Sequence, residues 1–337
     1  MRSLRLYPSD PRPHRAAPAD APAPARRRRG AWWKFAATSV VLASAFSLTP
    51  ATGAADSGQV APADAPAPSP GWTRMWSDDF TAAAGSPIAS ENWFHDIGHN
   101  YPGGPANWGT GEIAYHTDST QNVYQDGSGN LAIRPLRDAA GNWTSGRIET
   151  QRTDFRPPPG GSVAVSARLQ LPNGGQGYWP AFWMLGAPFR GNYHNWPGIG
   201  EIDIMENVNG QNLTHGVLHC DVAPGGACNE FNGIGNSYDL GAPGGQAGFH
   251  TYTMVWSDDP QELRWYVDGN HFHTVTPAQI GQDVWDRAFG SHGFFIILNV
   301  AIGGGWPGLP DGTTVSGSPL LVDYVTVDTH PDSGVTP

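Results

Sequence analysis

The stretch Gly-Glu-Ile-Asp-Ile-Met-Glu-Asn, residues 200–207, carries three carboxylates, at Glu201, Asp203 and Glu206. Side chains alternate between the two faces of a β-strand, so Glu201 and Asp203 share one face. Glu206 would point to the opposite face of a regular strand, but one extra residue in a β-bulge near Ile204–Met205 returns it to the carboxylate face. The spacing therefore predicts a bulged strand whose three acids face one cleft.

Three carboxylates in one cleft have consequences for their protonation. Like charges held this close cannot all ionise freely, so the pKa of at least one carboxyl should rise. One protonated and one ionised carboxyl are the groups that a retaining glycosidase uses. The alternative is a solvated acidic face of a surface strand. The apolar residues between the acids, Ile202, Ile204 and Met205, favour the cleft.

Short runs of alternating or β-branched residues recur along the chain, and turn residues separate them. They span residues 130–135, 161–171, 249–256, 262–267, 294–302 and 320–327. Asp268-Gly269 lies between two such runs, which is a hairpin signal. The best helical candidate, residues 276–280, is short, and 44 Gly and 31 Pro favour long loops between many strands. We therefore predict an all-β fold, a sandwich of two antiparallel sheets.

Composition divides the chain into four segments. Residues 1–55 combine arginines at 26–29, an apolar run at 35–48 and small residues at 49–55, which predicts a signal peptide region. A retained membrane anchor is the alternative, although the apolar run is too short to span a membrane stably. Residues 56–70 read as a Pro/Ala-rich linker, residues 71–330 as one domain, and residues 331–337 as a tail. We expect a secreted, extracellular protein.

The charge of the mature chain excludes some partners. Residues 1–55 hold nine of the 19 basic and two of the 30 acidic residues, so the remainder carries 10 basic and 28 acidic residues, a formal net charge of −18. Nucleic acid and an anionic membrane surface are therefore not expected partners. A neutral polymer such as a glucan suffers no repulsion from this surface.

The two cysteines, Cys220 and Cys228, flank a loop rich in Pro and Gly. In an exported protein such a pair predicts a disulfide. A free thiol pair is the alternative. The neighbouring His219 could suggest zinc, but no four-ligand pattern with the usual spacing accompanies it.

Several of the 14 tryptophans lie in Gly/Pro-rich loops, where an indole ring is available to stack on the apolar face of a sugar. Trp306, within Gly-Gly-Gly-Trp-Pro-Gly, is predicted to line the cleft, and Trp265, within a strand, to lie in the core. Trp179 and Trp183 are four residues apart and can share one strand face. Spacing alone leaves cleft and core open for both.

Polar side chains could bind sugar hydroxyls, although a lone Arg or His on a strand is more often a structural residue. The candidates are Arg147, Glu112, His215, His219 and Asn299. A further pair of acids, Asp79 near the start of the domain and Asp323 near its end, could ligate Ca²⁺, which prefers oxygen ligands. Ordinary surface acids are the alternative for this pair.

The acidic motif resembles the signature of glycoside hydrolase family 16 in its bulged form, Glu-x-Asp-x-x-Glu. Other segments are similar to the laminarinase branch of that family, in the same order. They are Thr-Ser-Gly-Arg-Ile (144–148), Tyr-Trp-Pro-Ala-Phe-Trp-Met-Leu-Gly (178–186), Thr-His-Gly-Val-Leu-His (214–219), Trp-Tyr-Val-Asp-Gly (265–269), Leu-Asn-Val-Ala-Ile-Gly-Gly-Gly-Trp-Pro-Gly (298–308) and Val-Asp-Tyr-Val (322–325). The loop from Cys220 to Cys228 also resembles that of actinobacterial endo-β-1,3-glucanases.

This resemblance implies a β-jelly-roll sandwich with a concave substrate cleft. It implies that Glu201 is the nucleophile and that Glu206 is the general acid/base, protonated because Glu201 and Asp203 are charged nearby. Asp203 would hold the geometry of Glu201 and modulate both titrations. Positions similar to those that line the cleft in the family are Trp179, Trp183, Trp306, Arg147, Glu112 and His215.

The resemblance also implies the activity, a retaining endo-1,3-β-glucanase that needs no cofactor for catalysis. Family members often bind structural Ca²⁺ near both termini of the domain, and Asp79 and Asp323 are the nearest candidates here. Another family-16 specificity, on mixed-linkage β-glucan or agarose, is the alternative substrate prediction. A non-catalytic β-glucan-binding lectin and a structural protein with a vestigial site are the alternatives to an enzyme. We expect a monomer.

Overall fold

The computed structural model describes residues 64–337, whose regular secondary structure is mainly β-strand. The predicted signal peptide region, 1–55, and most of the predicted linker lie outside the described residues. The strands are β1 (Thr73–Asp78), β2 (Trp93–His95), β3 (Tyr115–His116), β4 (Val123–Gln125), β5 (Leu131–Ile133), β6 (Leu136–Arg137), β7 (Trp143–Ser145), β8 (Arg147–Thr150), β9 (Ser162–Gln170), β10 (Tyr178–Gly186), β11 (Glu201–Glu206), β12 (Leu213–His219), β13 (Ile234–Asp239), β14 (His250–Asp258), β15 (Gln261–Val267), β16 (Asn270–Val275), β17 (Phe294–Ile302) and β18 (Leu320–His330).

Two large antiparallel sheets form the sandwich. The first has the order β16-β15-β14-β9-β18-β5-β4, and β1 also pairs with β18. The second has the order β13-β12-β11-β10-β17-β8-β2. A small third sheet joins β3, β7 and β6. The prediction of an all-β antiparallel sandwich is confirmed, and the architecture is the jelly roll that the resemblance implies.

The core lies between the two large sheets. On β9 the alternating residues Val163, Val165, Ala167 and Leu169 are buried and belong to this core. β17 is buried at all nine positions, because Phe295 and Ile297 on its outer face pack in a second apolar cluster with Tyr101, Leu185 and Phe189. A strand covered on both faces reads as a continuous apolar run, as the segment 294–302 does.

The hairpin predicted at Asp268-Gly269 joins β15 to β16. Asp268 has φ +49° and Gly269 has φ +76°, and Val267 pairs with Asn270 across the turn. Two consecutive residues at positive φ are what the tight turns of twisted hairpins require. Glycine adopts this conformation without steric cost, and Asp tolerates it.

Two short helices follow this hairpin, α1 (Pro277–Ile280) and α2 (Gln282–Phe289). The sequence indicated α1 but not α2. α2 has only eight residues, and it buries Val284, Trp285, Ala288 and Phe289 against the sandwich. Its apolar pattern is too brief to stand out in the sequence, so its formation depends on tertiary burial.

The segment before β1 and the segment after β18 pack on the outer face of the eight-stranded sheet. The side chain of Arg264 donates to the carbonyl of Val335, and Val335 packs with Trp72 and Tyr266. The hydroxyl of Ser333 donates to the carbonyl of Gly161. Within residues 64–337, the structure contains no helix of the length and apolarity needed to cross a membrane.

Candidate active site

The acidic strand β11 contains the bulge that the spacing predicts. Its pairing with β10 passes from Trp183–Asp203 to Phe182–Met205, and its pairing with β12 passes from Asp203–Val217 to Glu206–His215. The extra residue lies between Asp203 and Glu206, and Ile204 and Met205 are both buried in the core. The bulge restores the face of Glu206 because side-chain direction alternates with every residue.

The strand register continues this arrangement across the sheet. Glu206 lies opposite His215 on one side and Ala181 on the other, Ala181 lies opposite Asn299, and Asn299 lies opposite Arg147. Five strands, β12, β11, β10, β17 and β8, therefore contribute one residue each to a row that faces the same cleft.

The cleft has a volume of about 1160 Å³ on the outer face of the seven-stranded sheet. It brings together the nine residues predicted for catalysis and substrate binding: Glu201, Asp203, Glu206, Trp179, Trp183, Trp306, Arg147, Glu112 and His215. It also contains Trp108 and Trp196, two of the loop tryptophans that the sequence made available to a ligand without assigning them to the site. Four further residues had no sequence signal, namely Tyr101, Phe189, Tyr193 and Phe231.

Each of the two glutamates accepts a hydrogen bond from an indole. Trp179 Nε1 donates to Glu206 Oε1 at 2.8 Å, and Trp196 Nε1 donates to Glu201 Oε2 at 3.2 Å. Trp179 comes from the neighbouring strand β10, whereas Trp196 comes from the loop that precedes β11. The two indoles fix the orientation of the carboxyl groups without adding charge.

The environment raises the pKa of all three acids of β11. Burial raises the pKa of Glu201 to about 7, and the charge of Glu206 adds to the rise while His219 opposes it. Burial and the charges of Glu206 and Glu201 raise the pKa of Asp203 well above its usual range. Burial also raises the pKa of Glu206, against the effects of His219 and the Trp179 hydrogen bond. The expected rise at one carboxyl is thus found at three.

His219 provides the opposite charge beside these acids. Its Nε2 lies 3.4 Å from Asp203 Oδ2, and its Nδ1 lies 2.7 Å from Glu230 Oε2. Burial disfavours the imidazolium, but the Glu230 hydrogen bond and the nearby carboxylates outweigh burial, so the pKa of His219 is raised. Glu230 lies ten residues beyond Cys220 in the loop between β12 and β13, and no sequence motif indicated its place in the site.

Aromatic side chains flank the acids on both sides. Trp306 is 45% exposed, packs edge-on against Trp179 at a centroid distance of 5.6 Å, and contacts His215 at 4.9 Å. On another side, Trp196 stacks with the exposed Phe231 at 6.1 Å. Trp265, by contrast, is fully buried, as predicted, and donates its indole N–H to the backbone carbonyl of Asp203.

Arg147 lines the cleft, and protein groups occupy two of its five N–H donors. Its Nε donates to Asp96 at 3.0 Å and its Nη2 to the hydroxyl of Tyr101 at 2.8 Å. The guanidinium also lies 4.6 Å from the ring centroid of Trp108 and 4.8 Å from that of Trp183. In this geometry the guanidinium forms cation–π contacts that hold the rings of Trp108 and Trp183 in the cleft lining.

Glu112 and Trp183 are likewise held by neighbours. The carboxyl of Glu112 is 2% exposed and hydrogen-bonds to His116 Nε2 at 3.0 Å. Trp183 Nε1 donates to Asn299 Oδ1 at 2.8 Å. His215 is half-buried, and burial lowers its pKa, so a neutral imidazole faces Trp306.

The predicted disulfide joins Cys220 to Cys228, so the alternatives of free thiols and zinc do not apply. The predicted calcium ligands differ from each other. Asp323 forms an ion pair with Arg168, whereas Oδ1 of Asp79 is buried without a hydrogen-bond partner among residues 64–337. The unpartnered oxygen of Asp79 fits a cation ligand and the paired carboxyl of Asp323 does not, so the calcium site remains a prediction.

Comparisons with known proteins identify the family of the chain. The family described as Glycosyl hydrolases family 16 matches residues 115–325. The crystal structure of an endo-1,3-beta-glucanase from Streptomyces sioyaensis is 56% identical, with a TM-score of 0.78 over 79% of this chain and 99% of that one. A Beta-glucanase of Rhodothermus marinus is 32% identical over 77% of this chain and 85% of its own length.

A third relative, Glucan endo-1,3-beta-glucosidase A1 of Niallia circulans, is 31% identical over 76% of this chain. The alignment spans only 38% of that protein's length.

Proposed function

Because the chain belongs to glycoside hydrolase family 16, we propose that it is a secreted endo-1,3-β-glucanase that cleaves laminarin-type β-1,3-glucan with retention of anomeric configuration. The observation that carries this proposal is the bulged strand β11, which aims Glu201, Asp203 and Glu206 into one aromatic-lined cleft. Three relatives or structural neighbours whose names include a β-glucanase or β-glucosidase activity support the substrate class.

In the first step, the carboxylate of Glu201 attacks the anomeric carbon and forms an ester bond to it. The glycosidic C–O bond breaks, and the leaving oxygen takes the proton of Glu206. Trp196 and Trp179, which hydrogen-bond to the two carboxyls, hold the attacking and the donating oxygens in place.

In the second step, the ionised Glu206 removes a proton from water, and the resulting hydroxide attacks the same carbon. The ester bond breaks, Glu201 regains its charge, and Glu206 regains its proton. Two displacements at one carbon restore its configuration. The two carboxyl groups of retaining enzymes lie about 5–5.5 Å apart, and we expect that separation here.

The charge distribution before the first step differs from the simplest expectation. From the sequence we expect a charged Asp203. In the structure Asp203 is the most buried of the three acids, and its pKa is raised well above the usual range. One proton held between Asp203 Oδ2 and His219 Nε2, which lie 3.4 Å apart, makes this pair neutral, and with Glu206 protonated the negative charge on β11 lies on Glu201. Glu201, with a pKa of about 7 beside His219, is then the group whose ionisation prepares the site for attack.

The position of the acids within the cleft supports endo action. The lining extends on one side of Glu206 to Trp306 and on another to Trp196 and Phe231. A glucan chain therefore has aromatic surfaces to stack on at both sides of the bond to be cleaved. The strongly acidic surface outside the cleft does not repel a neutral polymer.

The direct test is reducing-sugar release by the chain from residue 56 onward, on laminarin, mixed-linkage β-glucan and agarose in parallel, with Glu206→Gln as the control. We expect oligosaccharides from laminarin that the variant does not release. Release from agarose alone would overturn the substrate assignment, and activity in Glu206→Gln equal to that of the parent would overturn the mechanism. Binding of laminarin without any hydrolysis would identify a lectin instead.

The anomeric proton of the first product, observed by NMR, reports retention or inversion.

A further inference from the structure

Glu230 is a buried carboxylate that the two-step mechanism does not use. Its side chain is fully buried, and both of its oxygens are occupied. Oε2 lies 2.7 Å from Nδ1 of His219, and Oε1 accepts the backbone N–H of Cys220 at 2.8 Å. A buried carboxylate is costly unless it is paired, so its retention beneath the cleft calls for a partner that benefits from it.

The tautomer of His219 follows from these contacts. An ionised carboxylate is only an acceptor, so Nδ1 of His219 must carry a proton toward Glu230. A neutral imidazole would then present a bare Nε2 to Oδ2 of Asp203, 3.4 Å away, and this buried Oδ2 has no hydrogen-bond partner among residues 64–337. Two acceptors facing each other repel, so one further proton is placed between Nε2 and Oδ2.

We propose that Glu230 is a positioning residue, which holds His219 through Nδ1 so that Nε2 and a proton face Asp203 beside the nucleophile Glu201. This inference rests on the proposed glycosidase function. Glu230 touches neither the cleft nor the reacting atoms and acts only through His219. A carboxyl oxygen of Glu201, a carboxyl oxygen of Asp203 and a ring nitrogen of His219 lie within 4.8 Å of one another, so a charge on His219 acts directly on the nucleophile.

The electrostatics of the cluster agree with this assignment. The groups that face His219 are Glu201, Asp203 and Glu206 on β11 and Glu230 in its loop. His219 opposes the rise in the pKa of Glu201 and of Glu206. Without the imidazolium, the nucleophile would ionise only at a higher pH.

The loop that carries Glu230 explains how the residue is held. The disulfide between Cys220 and Cys228 closes the loop immediately before it, and Glu230 exchanges two backbone hydrogen bonds with Gly225. Cys220 also follows His219 directly in the chain, so the disulfide, the imidazole and the carboxylate form one short rigid unit. We infer that the loop serves the catalytic centre as well as the stability of the fold.

The test compares the pH dependence of kcat/KM for laminarin in the parent, Glu230→Gln, His219→Gln and the double variant. We expect Glu230→Gln to lower kcat about tenfold with little change in KM, the cost of one hydrogen bond to a charged group. Loss of the Glu230 charge by itself lowers the pKa of Glu201, whereas loss of the imidazolium that Glu230 supports raises it, and the effect of His219 is the larger of the two. We therefore expect the acid limb of the profile to move upward by about one pH unit. In the His219→Gln background, Glu230→Gln should have little further effect.

A matched control lies in the same loop. Asp221 accepts the N–H of Ala227 at 2.9 Å and pairs with Arg287 at 3.0 Å, but it does not contact His219. Asp221→Asn should therefore loosen the loop without moving the acid limb. An acid limb that stays in place in Glu230→Gln, or equal shifts in Glu230→Gln and Asp221→Asn, would overturn the proposal. So would additive effects in the double variant.

A second measurement needs neither activity nor a Glu230 variant. NMR titration of the His219 imidazole in the parent and in Asp221→Asn should show protonation persisting above the usual pKa of about 6.5. Titration at or below that value would overturn the proposal even if the protein hydrolyses laminarin. If the parent hydrolyses no glucan but His219 titrates as expected, the proposed function fails and the positioning of His219 stands.

Discussion

The indole N–H of Trp179 donates a 2.8 Å hydrogen bond to Oε1 of Glu206. The two residues lie on adjacent strands but not opposite each other, because Glu206 pairs with Ala181 and Trp179 lies two residues before Ala181 on β10. The indole therefore reaches diagonally across the row of cleft residues. The same ring packs against Trp306, so one tryptophan joins the aromatic lining to Glu206, the proposed general acid.

Removal of the Trp179 hydrogen bond should change the titration of Glu206. Burial raises the pKa of Glu206, and this hydrogen bond opposes the rise because it favours the ionised carboxylate. In Trp179→Phe the pKa should rise further, so the alkaline limb of kcat/KM, which requires protonated Glu206, should move to higher pH. Trp183→Phe is the matched control, since Trp183 Nε1 donates to Asn299 and to no carboxyl. A limb that moves equally in both variants would contradict the prediction.

The raised pKa of Glu201 should make the protein less stable as pH rises. The folded state holds the proton of Glu201 up to about pH 7, whereas the unfolded chain releases it near pH 4.3. Between these values the folded protein binds more protons than the unfolded chain, so the free energy of unfolding decreases with increasing pH. Glu201→Gln should therefore raise Tm at pH 7, by about 2–4 °C for each kcal/mol recovered, and should have little effect near pH 4.

Calorimetric Tm values at pH 4, 5.5 and 7 provide the measurement for Glu201→Gln. Asp138→Asn is the control, because hydrogen bonds from Asn142 lower the pKa of Asp138 and its neutralisation should give no gain at pH 7. A gain for Glu201→Gln that is the same at all three pH values would point to packing rather than to protonation.

The disulfide should contribute to stability through its loop. Cys220 and Cys228 are eight residues apart in sequence, and a loop of this size implies about 2–3 kcal/mol from the restricted unfolded chain. Cys220→Ser combined with Cys228→Ser should lower the free energy of unfolding by about that amount in urea denaturation. Dithiothreitol should destabilise the parent to a similar extent and leave the double variant unchanged. Equal sensitivity of both proteins to the reductant would refute the assignment.

Trp306 should contribute to substrate binding more than to the chemical step. It is 45% exposed in a glycine-rich loop and does not hydrogen-bond to either glutamate. Trp306→Ala should raise KM for laminarin about threefold to tenfold, the range expected for the loss of one aromatic stacking contact, and should leave kcat nearly unchanged. Phe231→Ala removes an aromatic from the other side of the cleft, so product profiles of the two variants should differ. A fall in kcat with constant KM would show that Trp306 acts on the reaction itself.

Local pattern predicted much of the architecture. The apolar run 294–302 coincides with β17, and the runs near 161–171, 249–256 and 320–327 correspond to β9, β14 and β18 within a few residues. α2 escaped prediction because eight residues give too little periodicity, and burial of Trp285 and Phe289 against the sandwich stabilises it.

The sequence likewise predicted one part of the candidate site, and another part needed the structure. The spacing of Glu201, Asp203 and Glu206 predicts one face and one bulge, because alternation along a strand is a local property of the backbone. The roles suggested for Arg147 and Glu112 needed the structure, which shows their polar atoms bonded to Asp96, Tyr101 and His116. The residue type in a motif does not reveal whether its polar atoms already form hydrogen bonds with a residue from a distant segment of the chain.

The sequence by itself determined the longer apolar strands, the hairpin, the bulge and the three acids, since each depends on residues close together in the chain. Only the tertiary structure placed Glu230 beneath His219, Trp196 on Glu201 and Tyr101 on Arg147. These contacts join loops to strands in an antiparallel sandwich, and their partners are set by how the loops fold back over the sheet. The pKa values of the acids depend on that same burial, because desolvation is a property of the assembled cleft and not of any segment alone.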